Sequence, residues 1–122
     1  MLTMEMLQDA KKVLDGVARK TPVFQSTYIN PDADVYIKCE NMQVTGSFKL
    51  RGAYFKTASL TDAEAQKGVI ACSAGNHAQG VALAAQKKGI PAVICMPESA
   101  PMAKVEATRS YGAEVVLVPG VY

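Results

Sequence analysis

Two short segments carry side chains that could do chemistry. In Thr45-Gly46-Ser47-Phe48-Lys49-Leu50-Arg51-Gly52-Ala53, Lys49 falls in the first turn of a predicted helix. An ammonium there faces the positive end of the helix dipole, which disfavours its charged form. Burial beside Phe48 would disfavour it further. A neutral lysine amine is the nucleophile needed to condense with a carbonyl group. On spacing alone, a surface lysine opening an ordinary helix is the commoner arrangement. In Ser73-Ala74-Gly75-Asn76-His77-Ala78-Gln79-Gly80, the chain passes from a predicted strand into a predicted helix. Open α/β sheets place ligands at such carboxyl ends of strands. Gly75 allows close approach to the backbone. Free N–H groups at the helix start suit a carboxylate or phosphate, and Asn76 can both donate and accept. A plain helix-capping loop fits the same pattern.

Other catalytic patterns are absent from the sequence. His77 is the one histidine. It could carry a proton, although a single histidine near a helix start is more often structural. No Ser-His-Asp set in a convincing order supports a hydrolase. Neither the phosphate-binding Gly-x-x-x-x-Gly-Lys-Ser/Thr run nor a dinucleotide fingerprint occurs. Cys39, Cys72 and Cys95 sit in apolar, strand-like runs without metal-ligand spacing, and are expected as buried, reduced thiols rather than disulfides.

The elements that must position these residues alternate between strand and helix. A helix is predicted from about Thr3 to Val17, with Thr3 as N-cap and an apolar stripe of Leu7, Ala10, Leu14 and Val17. Pro22 to Asp34 reads as irregular, with a turn at Asn30-Pro31. A strand at Val35–Cys39 and a loop at Asn41–Gly46 precede a helix from Ser47 to about Ser59. Thr61-Asp62-Ala63-Glu64 has the form of a capping box. Then come a strand at Val69–Cys72, an Ala-rich helix at Asn76–Lys88 closed by Gly89, and a strand at Ala92–Met96. A helix from about Pro101 to Tyr111 and a strand at Glu114–Val118 follow. Pro119-Gly120-Val121-Tyr122 comes directly after that strand, without a closing helix. Short, continuous apolar strands separated by helices predict an α/β fold: an open parallel sheet with helices on both faces.

Composition narrows the function classes. The 122 residues are 49% apolar and 20% charged, with a net charge of +2 and no Trp. Neither a nucleic-acid surface nor a polybasic membrane patch is indicated. No run approaches the roughly 20 apolar residues that span a bilayer, and no secretory leader is visible. A cytoplasmic protein is expected.

Taken together, the segments are similar to those of a known family. Ser47-Phe48-Lys49-Leu50-Arg51-Gly52-Ala53 resembles the lysine motif of fold-type II pyridoxal-phosphate enzymes. Ser73-Ala74-Gly75-Asn76-His77-Ala78-Gln79-Gly80 resembles their substrate-carboxylate loop. Met96-Pro97, Ala100-Pro101, Lys104 and Tyr111-Gly112-Ala113 continue the match, which covers nearly the whole chain. Threonine dehydratases and serine racemases are the nearest types.

The resemblance implies roles. Pyridoxal 5′-phosphate would be the cofactor and electron sink. Lys49 would hold it and move the substrate's α-proton. Phe48 would pack near it, and Asn76 would bond its 3′-hydroxyl. Ser73, Ala74, Gly75, Asn76 and His77 would cradle the carboxylate of a small amino acid. Deamination of L-threonine to 2-oxobutanoate and ammonia, and of L-serine to pyruvate, is the implied reaction. Serine racemases carry a second Ser where Ala74 stands, as the base on the other face of the substrate, so dehydration is favoured over racemisation. The resemblance also implies a homo-oligomer and a nucleotide effector, to which Thr45 and Gln79 could contribute. Residues 1–34 would belong to the larger domain and residues 35–122 to the smaller one. The glycine-rich phosphate loop and the partner of the pyridine nitrogen lie further along in this family. The chain is therefore expected to be truncated and, alone, to bind the cofactor weakly and turn over little. The competing reading is a non-catalytic α/β binding or assembly module.

Overall fold

The computed structural model describes residues 1–120; Val121 and Tyr122, read above as part of the tail, lie outside the described residues. Helix α1 spans Met4–Val13. Its Thr3 hydroxyl accepts from the Met6 N–H at 3.2 Å, the N-cap bond expected for that residue. The helix stops four residues before Val17. The chain turns at Leu14, with the Val17 and Ala18 N–H groups both reaching the Leu14 carbonyl, and Gly16 takes φ 71°. No residue of α1 is buried.

The stretch from Pro22 to Asp34 is more ordered than its turn residues suggest. Val23–Ser26 forms strand β1, antiparallel to β2 at Val35–Lys38, with Val23 opposite Lys38 and Ser26 opposite Val35. The β-favouring Val23-Phe24 pair supplies the missed strand, and the segment around Asn30-Pro31 is the connection. This hairpin spans residue 34. A short 3₁₀ turn at Glu40–Met42 then leads toward α2, Lys49–Ala58.

Helix α3, Asp62–Lys67, starts with the expected capping box: Glu64 N–H donates to the Thr61 hydroxyl, and Thr61 N–H donates to the Glu64 carboxylate at 2.9 Å. Gly68 ends it at φ 76°, where a Cβ would lie 2.6 Å from the Pro91 carbonyl oxygen. Strands β3 (Val69–Cys72), β4 (Ala92–Pro97) and β5 (Glu114–Val118) form one parallel sheet in sequence order. Helices α4 (Asn76–Lys88) and α5 (Met102–Ser110) make the two crossovers.

The α/β fold class is the one expected, and its core is a single layer of small side chains against the sheet. Ala78, Val81, Ala82, Ala84 and Ala85 of α4 pack on Ile94 and Met96 of β4, joined by Val105 of α5 and by Ala53 of α2. Fully burying an Ile94 or Met96 side chain contributes about 1.5–3 kcal/mol. Helix α2 lies outside α4, as a second layer. The described helices thus cover one face of the sheet, not both faces as expected, because the two crossovers run in the same direction across it. The other carries Ile70, Cys72, Val93, Cys95 and Val116, with Ile70 75% exposed.

That open face corrects the expectation of buried thiols. All three cysteines are thiols, but Cys72 is exposed and Cys39 and Cys95 are only partly covered. Cys72 and Cys95 lie side by side in register on the uncovered face. No described helix is long and apolar enough to cross a membrane.

Candidate active site

The two chemically suggestive segments are far apart in sequence and adjacent in space. Helix α4 crosses the start of α2 at Gly80. A Cβ there would lie 3.1 Å from both the carbonyl carbon and oxygen of Lys49, and 3.2 Å from the Leu50 nitrogen. Only glycine lets the backbones approach so closely. Gly80 is four residues, about one turn, beyond Asn76. Lys49 is therefore anchored one turn from the loop that opens α4.

That loop is held from behind. The Ser73 N–H donates to the Cys95 carbonyl at 3.0 Å, which extends the β3·β4 ladder to the loop's first residue. The Ser73 hydroxyl accepts from the Gly75 N–H at 3.3 Å. Gly75 is the N-cap of α4 and Asn76 its first residue. No capping side chain bonds the first-turn N–H groups, so they remain available to an anion. Ser73, Ala74 and Gly75 are half-buried, while Asn76 and His77 are exposed. The Asn76 Oδ1 accepts from the Lys104 ammonium at 2.8 Å.

Lys49 is the first residue of α2, as its sequence position suggested, with Phe48 at the N-cap. The Ser47 hydroxyl accepts from the Lys49 N–H at 3.3 Å. The expected burial beside Phe48 is not found. Phe48 is 58% exposed, Lys49 is exposed too, and the ammonium lies 5.0 Å over the Phe48 ring. The reason is local. The inner side of this turn is taken by Leu50, which is fully buried, so its two predecessors project outward.

Sequence reasoning missed the brace behind the lysine. The Arg51 guanidinium grips Glu40 through Nε to Oε2 at 2.9 Å and Nη2 to Oε1 at 2.8 Å. The Thr21 hydroxyl donates to the same carboxylate at 2.6 Å. The Gln43 side chain bonds both the N–H and the C=O of Arg19, at 2.7 and 3.0 Å. The hydrogen bonds from Arg51 hold the Glu40 carboxyl down at about 2, against the opposing effect of burial, with Thr21 and Gln43 assisting. Apart from Gln43 and Glu40, which are three residues apart, these partners are 11 to 24 residues apart, and no local pattern announces them.

The residues present fit part of a pyridoxal-binding site. An exposed amine, an aromatic ring, a carboxamide and open helix-start N–H groups suit an aldehyde-bearing ring and a carboxylate. A separate cleft of about 620 Å³ lies between α1 and α2, lined by Leu7, Leu14, Lys38, Arg51 and Phe55 among others. Neither Lys49 nor the 73–77 loop borders it, so it is not assigned to this chemistry.

The family model described as "Pyridoxal-phosphate dependent enzyme" matches residues 14–122. The chain is 48% identical to an L-threonine ammonia-lyase of Thermotoga maritima over 124 residues, covering 100% of this chain and 31% of that protein. It is 52% identical to a catabolic L-threonine dehydratase of Staphylococcus aureus over 114 residues, covering 91% of this chain and 33% of that protein. Among solved structures, a serine racemase from Dictyostelium discoideum superposes with a TM-score of 0.90 at 37% identity, covering 98% of this chain and 40% of that one. The chain spans about a third of the length of the curated relatives it matches.

Proposed function

The chain belongs to the family of pyridoxal-phosphate dependent enzymes, and from that premise we propose that its protein is an ammonia-lyase acting on L-threonine, giving 2-oxobutanoate and ammonia. L-Serine would give pyruvate in the same way. The observation that carries this reading is the contact of Gly80 with the Lys49 backbone, which fixes a lysine one turn from an anion-accepting loop. The threonine ammonia-lyase and threonine dehydratase among the relatives support the choice of substrate.

The residues divide the work. Lys49 would hold the cofactor through Nζ, and Phe48 would pack against it. Asn76 would bond the 3′-hydroxyl of the pyridoxal ring. Ser73, Ala74, Gly75, Asn76 and His77 receive the substrate carboxylate, with the first-turn N–H groups of α4 as donors. Lys49 Nζ, as a free amine, would take the substrate's α-proton. When bound, the cofactor supplies the electron sink that makes that proton removable and lets the β-hydroxyl leave. The phosphate and ring nitrogen would be held by residues outside 1–122. Residues 1–34 go with the larger domain and 35–122 with the smaller one, the β1·β2 hairpin crossing between them. We place the protein in the cytoplasm as a homo-oligomer, with Thr45 and Gln79 as candidate contacts for a nucleotide effector.

Racemisation is the second reading, favoured by the similarity to serine racemase. Against it, Ala74 is half-buried in the loop and offers only a methyl group, so no proton donor stands at that position. The test is a paired assay on the intact protein with pyridoxal phosphate: 2-oxobutanoate from L-threonine against D-serine from L-serine. Faster 2-oxobutanoate formation is expected, and the opposite order overturns the lyase reading.

A further inference from the structure

Lys104 is built into position by its own helix. It sits in the first turn of α5, where its N–H donates to the Pro101 carbonyl at 2.8 Å. Its carbonyl accepts from the Thr108 hydroxyl at 2.8 Å. The neighbouring Val105 and Thr108 are fully buried and fix this side of α5. From there the ammonium reaches the start of α4 and donates to Asn76 Oδ1 at 2.8 Å. Among the described residues, no carboxylate lies within ion-pair distance of it.

The chemistry of this contact settles how the carboxamide faces. A lysine ammonium has three donors and no acceptor, so only the amide oxygen can meet it. The Asn76 NH₂ must then point away from Lys104. Resting on the cofactor reading above, we propose that Lys104 is a positioning residue acting through Asn76. It locks the carboxamide as a hydrogen-bond donor toward the pyridoxal 3-oxygen and excludes the flipped form, which would present an acceptor. Its unneutralised charge, beside the helix start, also favours that oxygen in its ionised form.

The experiment uses the intact protein and measures pyridoxal-phosphate affinity by equilibrium dialysis, together with the absorption band of the bound cofactor. The variants are Lys104→Met, Lys104→Ala, Lys104→Arg, Asn76→Ala and the double variant Asn76→Ala/Lys104→Met. Either uncharged replacement should weaken binding by about tenfold and move the band, the scale of one charge-assisted hydrogen bond. Lys104→Arg should restore most of both. Lys104→Met should add nothing to Asn76→Ala, and should not matter for a pyridoxal-phosphate analogue lacking the 3-hydroxyl. Wild-type affinity and band in both uncharged variants would overturn the proposal, as would an equal loss with the analogue. Failure of the wild-type protein to take up pyridoxal phosphate is a different result. It overturns the cofactor reading itself, and the role of Lys104 with it.

Discussion

At the scale of single residues, position was more legible than environment. Lys49 and Asn76 were recognisable because a motif surrounds each, and both stand at helix starts as their spacing implied. The exposure of Lys49 and Phe48 was not legible, because it depends on which side of the turn Leu50 claims. Lys49→Ala should lower kcat for threonine by at least about 10³-fold, the scale of a lost proton-transfer group, as read from 2-oxobutanoate formation. Ala74→Ser should raise D-serine formation from L-serine while leaving threonine turnover the faster reaction; unchanged racemisation would separate position 74 from that activity. Glu40 offers a test by pH. Its carboxyl is held at about 2, well below the usual carboxylate range, by the Arg51 guanidinium. A lowered folded-state value means that stability is fully present above the unfolded value and is lost as pH falls toward about 2. Glu40→Gln should therefore cost about 1–2 kcal/mol at neutral pH. It should also flatten the wild-type loss of stability below about pH 4.5 in denaturant titrations across pH.

At the scale of elements, regular local signals were readable and long-range ones were not. The parallel strands, the capping box at Thr61 and the glycine stop at Gly89 follow from short-range rules. Strand β1 was hidden because Val23–Ser26 is short and lies among turn residues, and its pairing with β2 is what makes it a strand. The Glu40–Arg51–Thr21 brace was hidden for the same reason. The crossing at Gly80 is the element-scale feature on which the site depends. A methyl group there meets backbone atoms at 3.1 Å, which cannot rotate away. Gly80→Ala should destabilise the fold by about 1–3 kcal/mol, as overpacking does. It should lower activity by more than that loss of stability explains, because Lys49 is pushed from the loop. A Gly80→Ala variant with wild-type turnover and wild-type melting would show that the close approach does not matter.

At the scale of the whole molecule, the described residues supply the lysine and the loop at the start of α4, while the relatives they match are about three times as long. The open sheet face carries Ile70, Val93 and Val116, with the exposed Glu114 in register beside Val93. The intact protein should gain about 2.7 kcal/mol of stability at a pyridoxal-phosphate concentration 100 times its dissociation constant, seen as a raised melting temperature. The most direct test is chemical. The intact protein is treated with pyridoxal phosphate, reduced with borohydride, digested and mapped by mass spectrometry. The pyridoxyl group should be found on Lys49, and label on any other lysine with Lys49 unmodified would contradict the account.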